Sequence, residues 1–282
     1  MNLKETLNKH HFKFKKKYGQ NFITDPGLLS KIVSTAEITQ QDVVVEIGPG
    51  AGTLTKAIAQ KARAIIAVEI DQDLIPILNE SLGEYDNFYL IHADALQVNL
   101  DELVAKTIGE PCRYKVVANL PYYITTPLVM HFLEQDFAID RIVIMVQKEV
   151  AERFQAQPGK KAYGSITVAL NYYGQIDMAF IVPRHLFMPQ PDVDSAVVDI
   201  KLWSQKPFEA NNPELFRRLV KAAFNQRRKT LNNALKTANI DQDILSACLD
   251  QCHIDPKRRG ETLSVEEYVN LANALDTMLS NQ

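Results

Sequence analysis

Between residues 42 and 147 the apolar positions come in unbroken runs instead of alternating with polar ones. DVVVEIG (42–48), AIIAVEI (64–70), FYLIHA (88–93), YKVVANL (114–120) and RIVIMVQ (141–147) are apolar on both side-chain faces. A strand with two apolar faces is covered by helices on both sides, as in a parallel sheet. The intervening stretches, such as GTLTKAIAQKA and DQDLIPILNESL, space their apolar residues as helices do. Two more strand-like runs, QIDMAFIVP (175–183) and DSAVVDIKLW (194–203), flank the proline-rich HLFMPQPDV and predict an antiparallel, hairpin-like edge. Residues 1–205 are therefore expected to form a doubly wound α/β domain whose seven-stranded sheet ends in an antiparallel pair.

After Trp203 the strands stop. NNPELFRRLVKAAF opens with Asn212 as an N-cap and Pro213 in the first helical turn. Leu215, Phe216, Leu219, Val220, Ala223 and Phe224 share one face, with Arg217, Arg218 and Lys221 on the other. SVEE (264–267) has the form of a capping box, and Leu263 and Tyr268 are spaced for a hydrophobic staple. Residues 206–282 are expected to be a small all-helical domain.

Composition narrows the class. The chain has 282 residues, 46% hydrophobic and 23% charged, enough for an ample core. No apolar run approaches the ~18 residues of a membrane helix. The basic N-terminus, MNLKETLNKHHFKFKKKYGQ, lacks the apolar stretch of a secretory signal, so a cytoplasmic location is expected. Cys112 is far from Cys248 and Cys252, which fits a reducing compartment. Cys248, Cys252 and His253 lack a fourth ligand, and no metal is expected. The net charge of −3 does not announce a nucleic-acid partner, but its distribution is uneven. An arm of residues 1–25 carries Lys4, Lys9, Lys13, Lys15, Lys16 and Lys17 against Glu5 and Asp25. Two basic knots, Arg227-Arg228-Lys229 and Lys257-Arg258-Arg259, lie near the other end.

The first strand runs into EIGPGAGTLT, Glu46 to Thr55, before a helix opens. Glycines there let backbone N–H groups approach a ligand. A dinucleotide fingerprint would place glycine where Thr53 stands, so a nucleoside without a pyrophosphate fits better. Glu69 ends the second strand, where an acid accepts from ribose hydroxyls; the plainer reading, helix capping, suits Asp71 better. Asp94 follows the third strand and either accepts from an adenine amino group or holds a turn. Gly-rich backbone, Glu69 and Asp94 along one crevice match S-adenosylmethionine better than a nicotinamide dinucleotide.

The fourth run stops at Asn119, followed by Leu120, Pro121 and Tyr122. NLPY has the form of the motif found in amino methyltransferases. Adenine N6 is a poor nucleophile because its lone pair is delocalised into the ring. The Asn119 amide oxygen and the carbonyl of Leu120, or of Pro121, would accept from that NH2 and favour a pyramidal nitrogen. Pro121 stiffens the turn, and Tyr122 offers a face for base stacking worth about 1–3 kcal/mol. Holding nitrogen, methyl and sulfur in line is a proximity effect and needs no strong base. The plainer alternative has Asn119 capping a turn and Tyr122 filling the core.

KKYGQNFITD, VEIGPGAGTLT, NLPYYITTPL, FMPQPDVDSAVV and AFNQRRKTLNNAL together make the chain resemble the ribosomal RNA adenine N6,N6-dimethyltransferases of the small-subunit (16S) branch, over nearly its whole length. The resemblance implies a Rossmann-like class I methyltransferase sheet and S-adenosyl-L-methionine as cofactor. It also implies two adjacent dimethyladenosines near the 3′ end of 16S rRNA, made in the 30S subunit or its precursor. It implies cofactor contacts at Asn21, Ile23, Gly48, Glu69, Asp94 and Asn119, and a Phe187 ring stacked on the target adenine opposite Tyr122. Without it, Phe187 reads as an ordinary loop anchor. Tyr123 departs from the family's usual asparagine, which touches the loop contacts more than methyl transfer. Macrolide-resistance methylases of the large subunit share QNFIT, whereas QRRKTLNNAL (226–235) favours the small-subunit branch. A purely binding role in ribosome assembly is the remaining alternative, against which the intact NLPY and cofactor acids argue.

With RNA as partner, Phe12, Phe14 and Tyr18 interleaved with Lys15, Lys16 and Lys17 suit phosphates plus stacking. Arg227, Arg228, Lys229, Arg258 and Arg259, with the Arg217/Lys221 face, are expected to give the helical domain its grip. A monomer with no membrane association is expected.

Overall fold

A computed structural model of the chain describes residues 3–15, 19–121 and 124–280. The chain divides into two compact units: one runs to Ala151 and includes Ile176–Leu202, the other comprises Glu152–Gln175 and everything from Trp203 on.

In the first unit, α1 (Leu3–Lys9), the two-residue β1 (Phe22–Ile23) and α2 (Pro26–Thr35) precede the main sheet. That sheet is made of β2 (Val43–Ile47), β3 (Ala64–Glu69), β4 (Phe88–His92), β5 (Tyr114–Asn119), β6 (Ile139–Gln147), β7 (Gly174–Val182) and β9 (Ser195–Leu202). A second two-residue strand, β8 (Phe187–Met188), pairs antiparallel with β1. Helices α3 (Thr53–Ala59), α4 (Ile75–Leu82), α5 (Leu100–Ile108), α6 (Thr125–Glu134) and α7 (Lys148–Phe154) follow β2, β3, β4, β5 and β6 in turn. The sheet order is β4-β3-β2-β5-β6-β9-β7. Strands β2 to β6 pair in parallel, and β9 runs antiparallel to β6. Every residue of β2 and β3 is buried, as their unbroken apolar runs predict. The chain steps outward from β2 to β4 on one side and from β5 onward on the other, so the ends of β2 and β5 border a switch-point crevice.

One polar cluster ties β6 to its antiparallel neighbour. Arg141 forks onto Asp199 of β9 with two bonds of 2.7 Å and reaches Glu37 at 2.7 Å. Arg141 and Asp199 are both buried.

The second unit contains α8 (Ser165–Tyr173), α9 (Pro213–Asn225), α10 (Leu231–Leu235), α11 (Gln242–Gln251) and α12 (Val265–Ser280). The predicted caps are in place. Asn212 accepts from Leu215 N at 3.0 Å, and Ser264 and Glu267 exchange bonds of 3.1 and 2.7 Å. The expected boundary at residue 205 needs correcting, because Glu152–Gln175 lies in the helical unit. Tyr163, Val168 and Tyr172 are buried in one core with Leu215, Phe216 and Leu275. The position of a segment between two strands of one sheet did not disclose its packing partners.

Candidate active site

The crevice is a cavity within the first unit, walled by residues 19–23, the Glu46–Gly50 turn, Glu69 and Ile70, Ala93–Ala95 and Asn119–Pro121. The turn needs glycine. Gly48 has φ +67° and donates from its N–H to Val68 O at 2.9 Å. Gly50 has φ +59°, and a Cβ there would sit 2.8 Å from the Phe22 ring. Thr53, at the position a dinucleotide pattern gives to glycine, uses its hydroxyl to hold Ile23 O at 3.2 Å.

Four acids lie along this edge. Glu69 is 4% exposed; its Oε1 accepts from Asp71 N at 2.7 Å and its Oε2 from Gly50 N at 3.3 Å. Burial pushes its carboxyl up to about 7, against the pull of those two N–H groups. Glu46, 1% exposed, is pushed up to about 8 by burial, eased by the Thr55 hydroxyl and aggravated by the nearby Glu69 charge. Glu46 Oε2 is buried without a hydrogen-bond partner among the described residues. Asp71 accepts from Asp73 N at 3.2 Å, the capping role its position predicts. Asp94 lines the cavity and also holds a turn, accepting from Leu96 N at 3.0 Å and from the Gln97 side chain at 3.2 Å.

Asn119 ends β5 half-buried, facing the cavity, with its amide nitrogen donating to the Asn21 carbonyl at 2.8 Å. Its Oδ1 is thereby the atom left to accept from an incoming donor. The Pro121 carbonyl already accepts from Ile124 N at 3.1 Å and Thr125 Oγ1 at 3.2 Å. Of the two carbonyls weighed as a second acceptor, Leu120 is the one that accepts no bond in that turn among the described residues. Tyr122 and Tyr123 lie outside the described residues. Asn21, Ile23, Gly48, Glu69, Asp94, Asn119, Leu120 and Pro121 all line the one cavity.

Phe187 is not among the cavity's walls. It is 6% exposed and packs in a core with Ile23, Leu28 and Ile32, in the manner of a loop anchor. The sequence did not reveal its pairing with Ile23. Thr24 extends the same contact, with its N–H and hydroxyl both donating to Leu186 O.

The basic residues divide into two kinds. Lys15, expected on RNA phosphates, instead bridges Asp71 and Asp73 at 2.6 Å each. Lys16, Lys17 and Tyr18 lie outside the described residues. Phe12 and Phe14, expected to stack on bases, pack on Phe22 with centroids 6.0 and 5.4 Å away. In the helical unit, Arg227 is committed to Glu261 and to the carbonyls of Lys161 and Tyr163. Arg258 is committed to Glu267 and the Thr262 carbonyl. Arg228, Lys229 and Arg259 are exposed, as are Arg218 and Lys221 on α9. A run of three like charges hides this division, because both runs lie in turns, where no periodicity says which side chain turns inward.

A family model described as "Ribosomal RNA adenine dimethylase" matches residues 11–277. Two relatives named "Ribosomal RNA small subunit methyltransferase A" are close over almost their whole length. The one from Clostridioides difficile is 46% identical, covering 99% of this chain and 96% of the relative. The one from Enterococcus faecalis is 48% identical, covering 97% and 94%. Among solved structures, a dimethyladenosine transferase from Plasmodium falciparum shares the fold with a TM-score of 0.75 at 24% identity, covering 89% of this chain and 95% of that one. The 23S rRNA methyltransferase ErmE has a TM-score of 0.67 at 26% identity, covering 90% and 99%. The cavity lies where an α/β methyltransferase sheet binds its ligands, and the match runs through nearly every residue of the chain: it belongs to the ribosomal RNA adenine dimethylase family.

Proposed function

We propose that this enzyme uses S-adenosyl-L-methionine to dimethylate N6 of two adjacent adenosines near the 3′ end of 16S rRNA, in the cytoplasm, on the 30S subunit or its precursor. The observation that carries the reading is Asn119. It projects from the end of β5 into the same cavity as the glycine turn and Glu69, with its nitrogen already satisfied by Asn21.

The donor set fits the cofactor. Glu69 presents a buried carboxylate for vicinal ribose hydroxyls, and the glycine turn keeps one cavity wall free of side chains. Glu46 also lines the cavity, with the Thr55 hydroxyl as the neighbouring donor for its carboxyl group. Asp94, on the cavity wall, would accept from the adenine amino group. When bound, the cofactor supplies an electrophilic sulfonium methyl.

The chain's own groups act on the acceptor base. Asn119 Oδ1 and the Leu120 carbonyl accept from the N6 hydrogens, drawing the nitrogen lone pair out of the ring plane and toward the cavity. Pro121, its carbonyl tied to Ile124 and Thr125, fixes the turn that carries both acceptors. Tyr122 supplies a stacking face by the family pattern. Rate enhancement comes from alignment, since no step needs a strong general base. Outside the cavity, Arg228, Lys229 and Arg259 offer exposed charge to phosphates.

Methyl incorporation from labelled cofactor into under-methylated 30S particles, followed by nucleoside analysis, tests the reading. Dimethyladenosine in 16S rRNA is the expected product. Labelling confined to naked 23S rRNA would instead favour the large-subunit chemistry of the ErmE-like neighbour.

A further inference from the structure

The N-terminal arm reaches the cavity through one buried carboxylate. Asp71 is 1% exposed, and both its oxygens are used by the arm: Oδ1 accepts from Lys15 Nζ at 2.6 Å and Oδ2 from Gln20 Nε2 at 2.7 Å. Gln20 in turn accepts from Lys15 N at 2.8 Å, closing a ring of contacts. Lys15 also reaches Asp73 at 2.6 Å. Gln20 of that ring and its neighbours Gly19 and Asn21 form part of the cavity wall. The backbone N–H of the same Asp71 donates to Glu69 Oε1 at 2.7 Å. One residue therefore aims the buried acid from below and ties down the wall from above.

We propose that Asp71 is a positioning residue for the cofactor: with Lys15 and Gln20 it clamps the arm across the cavity while its N–H orients Glu69. The proposal rests on the methyltransferase reading of the cavity. A simple N-cap would need only the Asp73 N–H, and Asp71 spends its remaining capacity on two side chains from a segment more than fifty positions away. Neither Asp71 nor Lys15 lines the cavity, so neither touches the reacting atoms. Docking of the arm is reinforced from the far side. Leu7 packs with Leu74, Ile77 and Leu78, and His10 meets Glu80 at 2.7 Å. The ring of contacts at Asp71 is thus the part of this attachment that adjoins the cavity, and its loss should loosen residues 19–23 without releasing α1.

Titration calorimetry with S-adenosylmethionine and S-adenosylhomocysteine, in the absence of RNA, tests the clamp on the full chain. Asp71→Asn and Lys15→Met should each weaken cofactor binding roughly tenfold. The double variant should bind no worse than Asp71→Asn, because both changes break one shared contact. Turnover on 30S particles at saturating cofactor should fall less than affinity, because residues 19–23 also hold the Asn119 amide through Asn21, and amide exchange at residues 19–23 should quicken. Wild-type affinity in either variant, additive losses, or an equal fall in kcat would each overturn the proposal. Should Asp71→Asn fail to fold, Lys15→Met, at a partly exposed site, still decides it. Wild-type protein that binds neither nucleoside would sink the methyltransferase reading itself, an outcome distinct from an unaffected variant.

Discussion

The Asn119 amide is aimed by Asn21: its nitrogen donates to the Asn21 carbonyl at 2.8 Å, so the arm that walls the cavity also sets which end of the amide meets the base. Asn119→Ala removes both the acceptor and the anchor. It should lower turnover by about 10²–10³, the scale seen when one preorganised hydrogen-bonding group is removed. Asn119→Asp keeps an acceptor but sets a carboxylate against the Asn21 carbonyl, and should retain part of that rate. Tritium incorporation into 30S particles measures both, and an alanine variant near wild-type turnover would remove Asn119 from the mechanism.

Glu69 makes the cofactor affinity depend on pH. Burial raises its carboxyl to about 7, whereas a ribose pair is best bound by the ionised form. At pH 6 about one carboxyl in ten is charged, so affinity should be about tenfold weaker than at pH 8. Glu69→Gln should bind weakly and show a flat profile in calorimetry. Folding stability runs the opposite way. Glu46, at about 8, and Glu69 hold protons more tightly in the native state than at the ordinary 4.5. Their favourable contribution is complete below the unfolded value and is lost as pH rises through 7 and 8. Thermal melts of Glu46→Gln should lose that part of the slope.

Gly50→Ala tests the turn. A left-handed φ costs an L-residue about 1–2 kcal/mol, and the new methyl meets a Phe22 ring already packed by Phe12 and Phe14. The melting temperature should fall by several degrees, with cofactor affinity falling alongside it. An unchanged melt would mean that the ring yields freely.

The basic knots should separate by assay. Alanine at Arg228, Lys229 or Arg259 should weaken rRNA binding, each true phosphate contact lowering the salt slope by about one, with no change in melting. Alanine at Arg227 or Arg258 removes partners of Glu261 or Glu267 and should instead destabilise the helical unit. Filter binding across a salt series, beside thermal melts, distinguishes the two groups.

Asp199→Ala removes the buried partner of the Arg141 guanidinium and leaves it only the exposed Glu37. Breaking such a pair costs about 3–5 kcal/mol, readable as a shifted denaturant midpoint. Specific activity of the folded fraction should hold.

The sheet was legible because burial on both faces leaves a nearly unbroken apolar run, and DVVVEIG and AIIAVEI each interrupt theirs with one buried acid, Glu46 and Glu69. The cavity was legible because Glu69 and Asn119 end strands and Asp94 follows one, so these three of its lining residues could be placed side by side from strand order alone. Other features left no such trace. Arg141 opens its apolar run and Asp199 interrupts another, and their pairing depends on β9 running antiparallel to β6. Phe22–Ile23 and Phe187–Met188 are too short for any periodicity. Lys15 looked like one more basic residue in a basic arm, because Asp71, its partner, belongs to a different element.

Phe22–Ile23 is at once a wall of the cavity and the sheet partner of Phe187–Met188. A ribbon of two residues per strand has no stability of its own and survives only while both of its edges are anchored. Here Thr24 donates twice to Leu186 O beside the ribbon, and Phe187 is seated in the core with Leu28 and Ile32. One pairing of four residues thus joins the cavity wall to the base of the FMPQP loop.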